Sequence, residues 1–518
     1  MLKSLMTVSG FTLLSRITGF ARDMLTAHYI GGGATADAWF AAFRFPNLFR
    51  RVFGEGAFNS AFVPLYSGKL AAEGDEAAFS FASRVLVVLS VLLSLICVVT
   101  YIFMGPITAV LNLGYTDQKL ALATDLSRIT VSYLFFICLV AALSGVLNSH
   151  KKFAAPAFSY VSLNLVFLAC LIGVIPFVEG ENAKLTILAY CLPLAGVVQL
   201  GVVIFSAWRT GVRFKVQLPK IDSDISKLGL LMGPGLVSAG IQQLNLLIGA
   251  GVASFQSGGQ AAIYYADRIN QLPLGLIGIA FGVVLLPEIT KKLRKKEVAE
   301  AQQSLQTGMT MAMLIALPAM VGMLVIGEQI IFGIFEGGKF TPEEAGVAGY
   351  ALMAFALGSP AYVMSKVLQP AYFAREDTKT PMKFTLVSAL VNSILCGTAY
   401  LVIGKDGPLS FGCALATSVA GWVNVYLLLA GLKKSGFLTL NSEFWKRLGK
   451  MLVASIAMGV IVWGGAYFLD DILHSNSRLL RIPVLAAIGG AGVLVYFLLA
   501  HLTKAMTFGE LKAGFRKS

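Results

Sequence analysis

Charge is scarce in this chain. Only 13% of its 518 residues are Asp, Glu, Lys or Arg, where soluble proteins carry roughly a quarter. With 57% hydrophobic residues and a mean hydropathy of +0.76, that scarcity excludes a large soluble enzyme and points to an all-α polytopic membrane protein. Cysteine is sparse as well. Cys97, Cys138, Cys170, Cys191, Cys396 and Cys413 all lie in apolar stretches without CxxC or metal-ligand spacing, so they read as small buried hydrophobes. The four histidines (His28, His150, His474, His501) are scattered, and no metal site is expected. P-loop, HExxH and GxSxG motifs are missing too, which removes the common nucleotidase, metalloprotease and serine hydrolase classes. No cofactor is expected. Without a nucleotide site, any transport must run on the membrane potential or on a gradient such as that of a monovalent cation.

Long apolar runs are what the chain has in quantity. About 20 residues suffice to cross a ~30 Å hydrocarbon core as a helix, and about fourteen such runs are present. They are 6–30, 37–66, 85–104, 129–147, 158–178, 185–205, 228–255, 261–287, 309–335, 347–372, 382–403, 411–432, 451–469 and 484–502. An early apolar run preceded by Lys3 resembles a secretion signal, but Arg16 interrupts it and no clean small-residue cleavage pattern follows, so a retained first helix is expected. The net charge of +14 is concentrated in short loops. Connections after even-numbered spans hold clusters such as His150-Lys151-Lys152 and Lys291–Lys296, whereas those after odd-numbered spans hold Glu179-Gly180-Glu181, Glu343-Glu344 and Asp470-Asp471. Positive-inside bias therefore puts both termini in the cytoplasm. Basic clusters arranged in this way answer to a membrane face, and nucleic acid is not an expected partner.

A faint internal repeat runs through the chain. Gly32-Gly33, Trp39-Phe40-Ala41, Ala57-Phe58 and Pro64 recur in order as Gly258-Gly259, Tyr264-Tyr265-Ala266, Ala280-Phe281 and Pro287, a shift of about 225 residues. Six spans per half would make the halves parallel repeats about an axis along the membrane normal. The expected organisation is an N-lobe over 1–220, a C-lobe over 221–435 and a two-helix C-terminal segment over 436–518.

Within the first two spans lie Arg16, Arg22, Asp23, Asp37, Arg44, Arg50, Arg51 and Glu55. Charge at membrane depth is costly and usually faces a wet cavity or a partner. Arg16 and Asp23 stand seven residues apart, as do Asp37, Arg44 and Arg51, a spacing that shares a helix face, although Pro46 and Gly54 loosen the second helix. The plain account is cross-helix ion pairing. Cations outnumber acids, however, and guanidinium groups grip phosphate oxygens in a bidentate fork. In the second half, Asp267 and Arg268 also interrupt an apolar run. The mid-helix sites Gly233-Pro234-Gly235, Pro318, Pro360 and Pro370 are candidate hinges or static kinks. Asn245 and Asn392 are candidate ion ligands or, more simply, interhelical hydrogen-bonding groups.

At these residues the chain resembles the MurJ (MviN) family of bacterial lipid II flippases. The resemblance rests on 15–23 (SRITGFARD), 36–40 (ADAWF), 46–58 (PNLFRRVFGEGAF), 264–268 (YYADR), 335–340 (FEGGKF) and 378–381 (TKTP). It implies a multidrug/oligosaccharidyl-lipid/polysaccharide exporter fold: two pseudo-symmetric six-helix lobes around a cationic cavity, with two C-terminal helices forming a groove for the lipid tail. It also implies lipid II as substrate, membrane lipids and peptidoglycan synthases as partners, and a place in the bacterial inner membrane. Substrate-binding positions carry over to Arg16, Arg22, Asp37, Arg50 and Arg268, with Asp23, Arg51, Glu55 and Asp267 as cavity or gate residues. An acidic position that some members carry is Gln271 here. The alternatives are a flippase for another polyprenyl-diphosphate glycan and a cation-coupled multidrug exporter of the same fold. A cavity with surplus arginine would repel the cationic substrates of the latter. A membrane-embedded glycosyltransferase would need a set of catalytic carboxylates that the sequence lacks.

Overall fold

The computed structural model describes residues 2–51, 58–214, 218–219, 221–405, 407–475 and 477–506. Glu55 lies outside them, as do the side chains of Pro234 and Asn245. Among the described residues the chain is helical, with no strand and one isolated bridge between Gly337 and Phe340. The first half contains α1 (Leu2–Ile30), α2 (Ala34–Phe49), α3 (Phe58–Glu73), α4 (Asp75–Ile102), α5 (Met104–Leu111), α6 (Asp117–Thr130), α7 (Tyr133–Ser149), α8 (Ala154–Gly173) and α9 (Glu181–Arg209). There follow α10 (Ser223–Ala253), α11 (Gly259–Arg294), α12 (Val298–Phe335), α13 (Pro342–Phe373), α14 (Lys379–Ile403), α15 (Leu409–Lys434), α16 (Ser442–Phe468), α17 (Asp470–Leu473) and α18 (Arg478–Leu502).

Among the described residues, ten helical segments are long and apolar enough to cross a membrane. The other four expected spans fall on α1, on α2 with α3, on α10 and on α11. Charge interrupts α1, and the second span carries two helices, α2 and α3. The chain divides into two compact units, Met1–Leu247 and Ile248–Ser518, with the division inside α10.

In the N-terminal unit α1 packs on α8, α8 on α9, α9 on α6 and α7, α2 on α6, and α3 on α4 and α7. Phe58, Phe62 and Tyr66 follow one another at helical spacing down α3. Their rings stack at 5.1 and 5.6 Å, and Phe81 of α4 joins Phe62 at 5.8 Å. Pro46 sits inside α2 and cannot donate to the carbonyl of Ala42. The Thr130 hydroxyl at the end of α6 donates to that carbonyl at 2.9 Å, so the missing bond is replaced where no water is on hand. α2 closes at Phe49, and Arg50 and Arg51 continue as a π turn.

In the C-terminal unit α13 packs against α11, α12 and α15, while α16 and α18 lie on each other and along α12. Pro318, Pro360 and Pro370 sit within their helices; the non-helical residue in α12 is instead Ile326 (φ −124°, ψ 28°). That break adjoins a close crossing of α12 with α13, where a Cβ on Gly349 would lie 2.7 Å from Glu328 Cα. Thr341 and Glu344 form a capping box at the start of α13, satisfying two backbone donors reciprocally. The preceding turn is held from α18. Arg478 donates to the Glu336 carbonyl at 2.9 and 2.7 Å and packs over Gly337, whose φ of +123° suits glycine. Arg481 is 1% exposed, lies 5.0 Å from the Phe332 ring and pairs with the Glu336 carboxylate.

All six cysteines are reduced, and five are buried. Cys170 and Cys191 hydrogen-bond each other between α8 and α9, and Cys396 and Cys413 do so between α14 and α15. The second pair follows the first by 226 and 222 residues, matching the shift of the sequence repeat. Asn392 is buried and accepts a hydrogen bond from the Cys396 thiol at 3.7 Å.

Candidate cationic site

The charges of α1 do not share one environment. Arg16 is exposed, whereas Arg22 is 7% and Asp23 2% exposed. Arg22 folds onto its neighbour, donating from Nε and Nη2 to Asp23 Oδ1 at 3.1 and 2.8 Å. Its Nη1 donates to Asn164 Oδ1 on α8 at 3.1 Å, and the guanidinium lies 5.6 and 5.7 Å from the rings of Phe43 and Phe167. Asn164 in turn donates to the Ser15 carbonyl at 2.9 Å. A buried guanidinium with these partners is oriented and charge-balanced by Asp23. Arg16 and Asp23, seven residues apart on α1, thus differ in burial, and Asp23 serves Arg22.

On α2, Asp37 is fully buried and pairs with Lys119 of α6. Tyr115 donates its hydroxyl to the Asp37 carbonyl at 2.9 Å, and the Lys119 ammonium lies 4.1 Å from the Tyr115 ring centroid. Arg44, one spacing further along the same helix, interacts electrostatically with both Asp37 and Tyr115. Arg50 donates from Nε to Asn47 Oδ1 at 2.9 Å and approaches the Tyr160 ring at 6.0 Å. Arg51 is half-buried. Arg16, Arg22, Arg44, Arg50, Arg51 and Lys119 thus stand against Asp23 and Asp37 in the N-terminal unit. In the C-terminal unit Arg268 lies 5.9 Å from the Tyr264 ring, and Gln271 donates its side-chain amide to Asp267. An amide at 271 satisfies that carboxylate without adding charge.

Lys119, Tyr115 and Asn164 did not stand out in the sequence. Asn164 carries the same signal as Asn245 and Asn392, a lone amide in an apolar run. Lys119 lies in a polar stretch that reads as a connection between spans. Among the described residues no group of three or more His, Cys, Asp or Glu is placed to hold a metal ion.

A family model described as Lipid II flippase MurJ matches residues 26–482. A probable lipid II flippase MurJ of Rhizobium tropici is 37% identical over 521 residues, covering 100% of this chain and 97% of the relative. One from Rhizobium meliloti is 35% identical over 504 residues, covering 96% and 93%. Among solved structures, a lipid II flippase MurJ in an inward closed conformation superposes with a TM-score of 0.76 at 27% identity, covering 96% of this chain and 98% of that one. An inward-facing MATE multidrug transporter of the MOP superfamily shares the fold at a TM-score of 0.68 and 14% identity, covering 82% and 95%.

Proposed function

Since the chain belongs to the lipid II flippase MurJ family, we propose that it carries lipid II from the cytoplasmic to the outer leaflet of the bacterial inner membrane. It is then a transporter and not an enzyme. The observation that carries the reading is that Arg16, Arg44, Arg50 and Arg51 accompany the buried pairs Arg22–Asp23 and Lys119–Asp37 on and just beyond α1 and α2, leaving cations in excess there. The headgroup of lipid II joins its muropeptide to the polyprenyl chain through a diphosphate, and guanidinium groups bind such oxygens bidentately. Arg16 and Arg50, with Arg51, offer that contact in the N-terminal unit; Arg268 is a candidate by itself in the C-terminal unit. Arg22 and Asp37 contribute by shaping the same site through the pairs they already make.

The cycle is alternating access, with the polyprenyl tail left in lipid along the last two helices and both termini in the cytoplasm. Each charge that crosses the membrane exchanges about 2.3 kcal/mol per 100 mV, so the potential or a monovalent cation gradient biases direction. Peptidoglycan synthases are the fitting recipients of the product. The test is replacement of the endogenous flippase in a depleted cell. The chain restores outward lipid II, while Arg16→Ala and Arg268→Ala insert normally and do not. Full restoration by both variants would remove the arginines from the substrate path, and no restoration by the unaltered chain would remove the function.

A further inference from the structure

Asp37 is a poor ligand for an anion. A buried carboxylate beside a diphosphate is repulsive at close range, so its part in transport has to run through what it holds. Two residues, one just before α6 and one in its first turn, grip position 37 from different sides. Tyr115 takes the main-chain carbonyl and Lys119 takes the carboxylate. The Lys119 ammonium also rests on the Tyr115 ring at 4.1 Å, which fixes the two side chains relative to each other. At the far end of α6, Thr130 donates to the Ala42 carbonyl at 2.9 Å. The short helix α6 is thus fastened to α2 at both ends. Val131 and Ser132 join it to α7 with helical backbone (φ −59°, ψ −29° and φ −62°, ψ −24°), so the clamp ties α2 to the whole segment Asp117–Ser149.

We propose that Lys119 is a positioning residue for transport, acting through Asp37. By neutralising that carboxylate it keeps α6 clamped to α2, and so sets the placement of Arg44, Arg50 and Arg51 on and just beyond the same helix. The inference rests on the flippase reading of the cationic site. It gives Asp37 a role different from direct substrate contact. If the pair is what matters, removing one member is worse than removing both, because each single change alters the net charge around position 37, where Arg44 also acts, and the double change keeps it.

The experiment uses the full chain in liposomes with fluorescent lipid II, comparing initial transport rates and lipid II affinity with the apparent unfolding midpoint of each variant. Lys119→Met is expected to transport at least tenfold more slowly at saturating lipid II, with affinity changed less than threefold. Lys119→Arg is expected to keep at least a third of the rate. Asp37→Asn alone is expected to fall at least tenfold, and Asp37→Asn with Lys119→Met to recover to within threefold of the unaltered chain. A Lys119→Met protein that transports normally overturns the proposal. So does an Asp37→Asn defect that persists undiminished in the double variant, since Asp37 would then act on substrate directly. If the unaltered chain moves no lipid II, the flippase reading fails instead; the unfolding midpoints of the same variants still report whether the pair is made.

Discussion

Replacing either member of the Arg481–Glu336 pair should destabilise the chain, and the two replacements should not be equal. Arg481 is 1% and Glu336 16% exposed at the side chain, so both are largely removed from water. Breaking a buried pair from one side costs roughly 3–5 kcal/mol, because the survivor keeps its desolvation penalty without its partner. Arg481→Met leaves Glu336 with Arg478, which already bonds its carbonyl and interacts with its charge. That places the loss at about 3 kcal/mol, the low end. Glu336→Gln strands Arg481 beside a second cation, and about 4–5 kcal/mol is expected. The double variant removes the charge of both, so its cost should fall short of the sum of the singles by about 2 kcal/mol or more. Reversible unfolding in mixed micelles, followed by tryptophan fluorescence, gives all three values. Strictly additive losses, or single losses under about 1 kcal/mol, would show that the pair is incidental to stability.

Three further outcomes follow from other contacts. Asn164→Ala removes the bond to Arg22 and the tie to Ser15; a loss of about 1.5–3 kcal/mol is expected, and none in the same unfolding assay would mean that solvent replaces the amide. Gly358→Ala puts a Cβ 2.6 Å from Ser418 Cα, and the forced separation of α13 from α15 should cost about 1–3 kcal/mol; a neutral result would mean the crossing is slack. The backbone N–H and hydroxyl of Thr380 hold the Asp377 carboxyl below its ordinary value. That contribution is present above the unfolded carboxylate pKa, about 3.9, and is lost as pH falls through the lower folded value. Hydrogen exchange at the start of α14 should therefore accelerate in acid beyond its intrinsic rate in the unaltered chain and not in Asp377→Asn; equal profiles would remove the cap from the pH response.

Much of the fold is legible in hydropathy, since among the described residues the expected spans fall mainly on helix. Spans interrupted by charge or polar residues are less plain, because a charged helix and a charged loop differ little in composition. The arginines of the site stand out for the same reason that they are costly. Their partners do not. Asn164 is 142 residues from Arg22, and Lys119 is 82 residues from Asp37, so only tertiary packing joins them. Pro318 drew attention as a bend, yet α12 breaks at Ile326. That break lies beside the close passage of α13 at Gly349, a tertiary contact that local sequence does not encode.

The π turn at Arg50–Arg51 changes what an insertion or deletion would do to this chain. Regular spacing aims residues 37, 44 and 51 in one direction, but a widened turn takes up an extra residue and re-aims whatever follows it. Removing a single amino acid at that point would swing the onward chain by about 100° around the helix axis. Side-chain chemistry would survive such a change while its bearing would not, so under the proposed transport role length at this corner matters as much as charge.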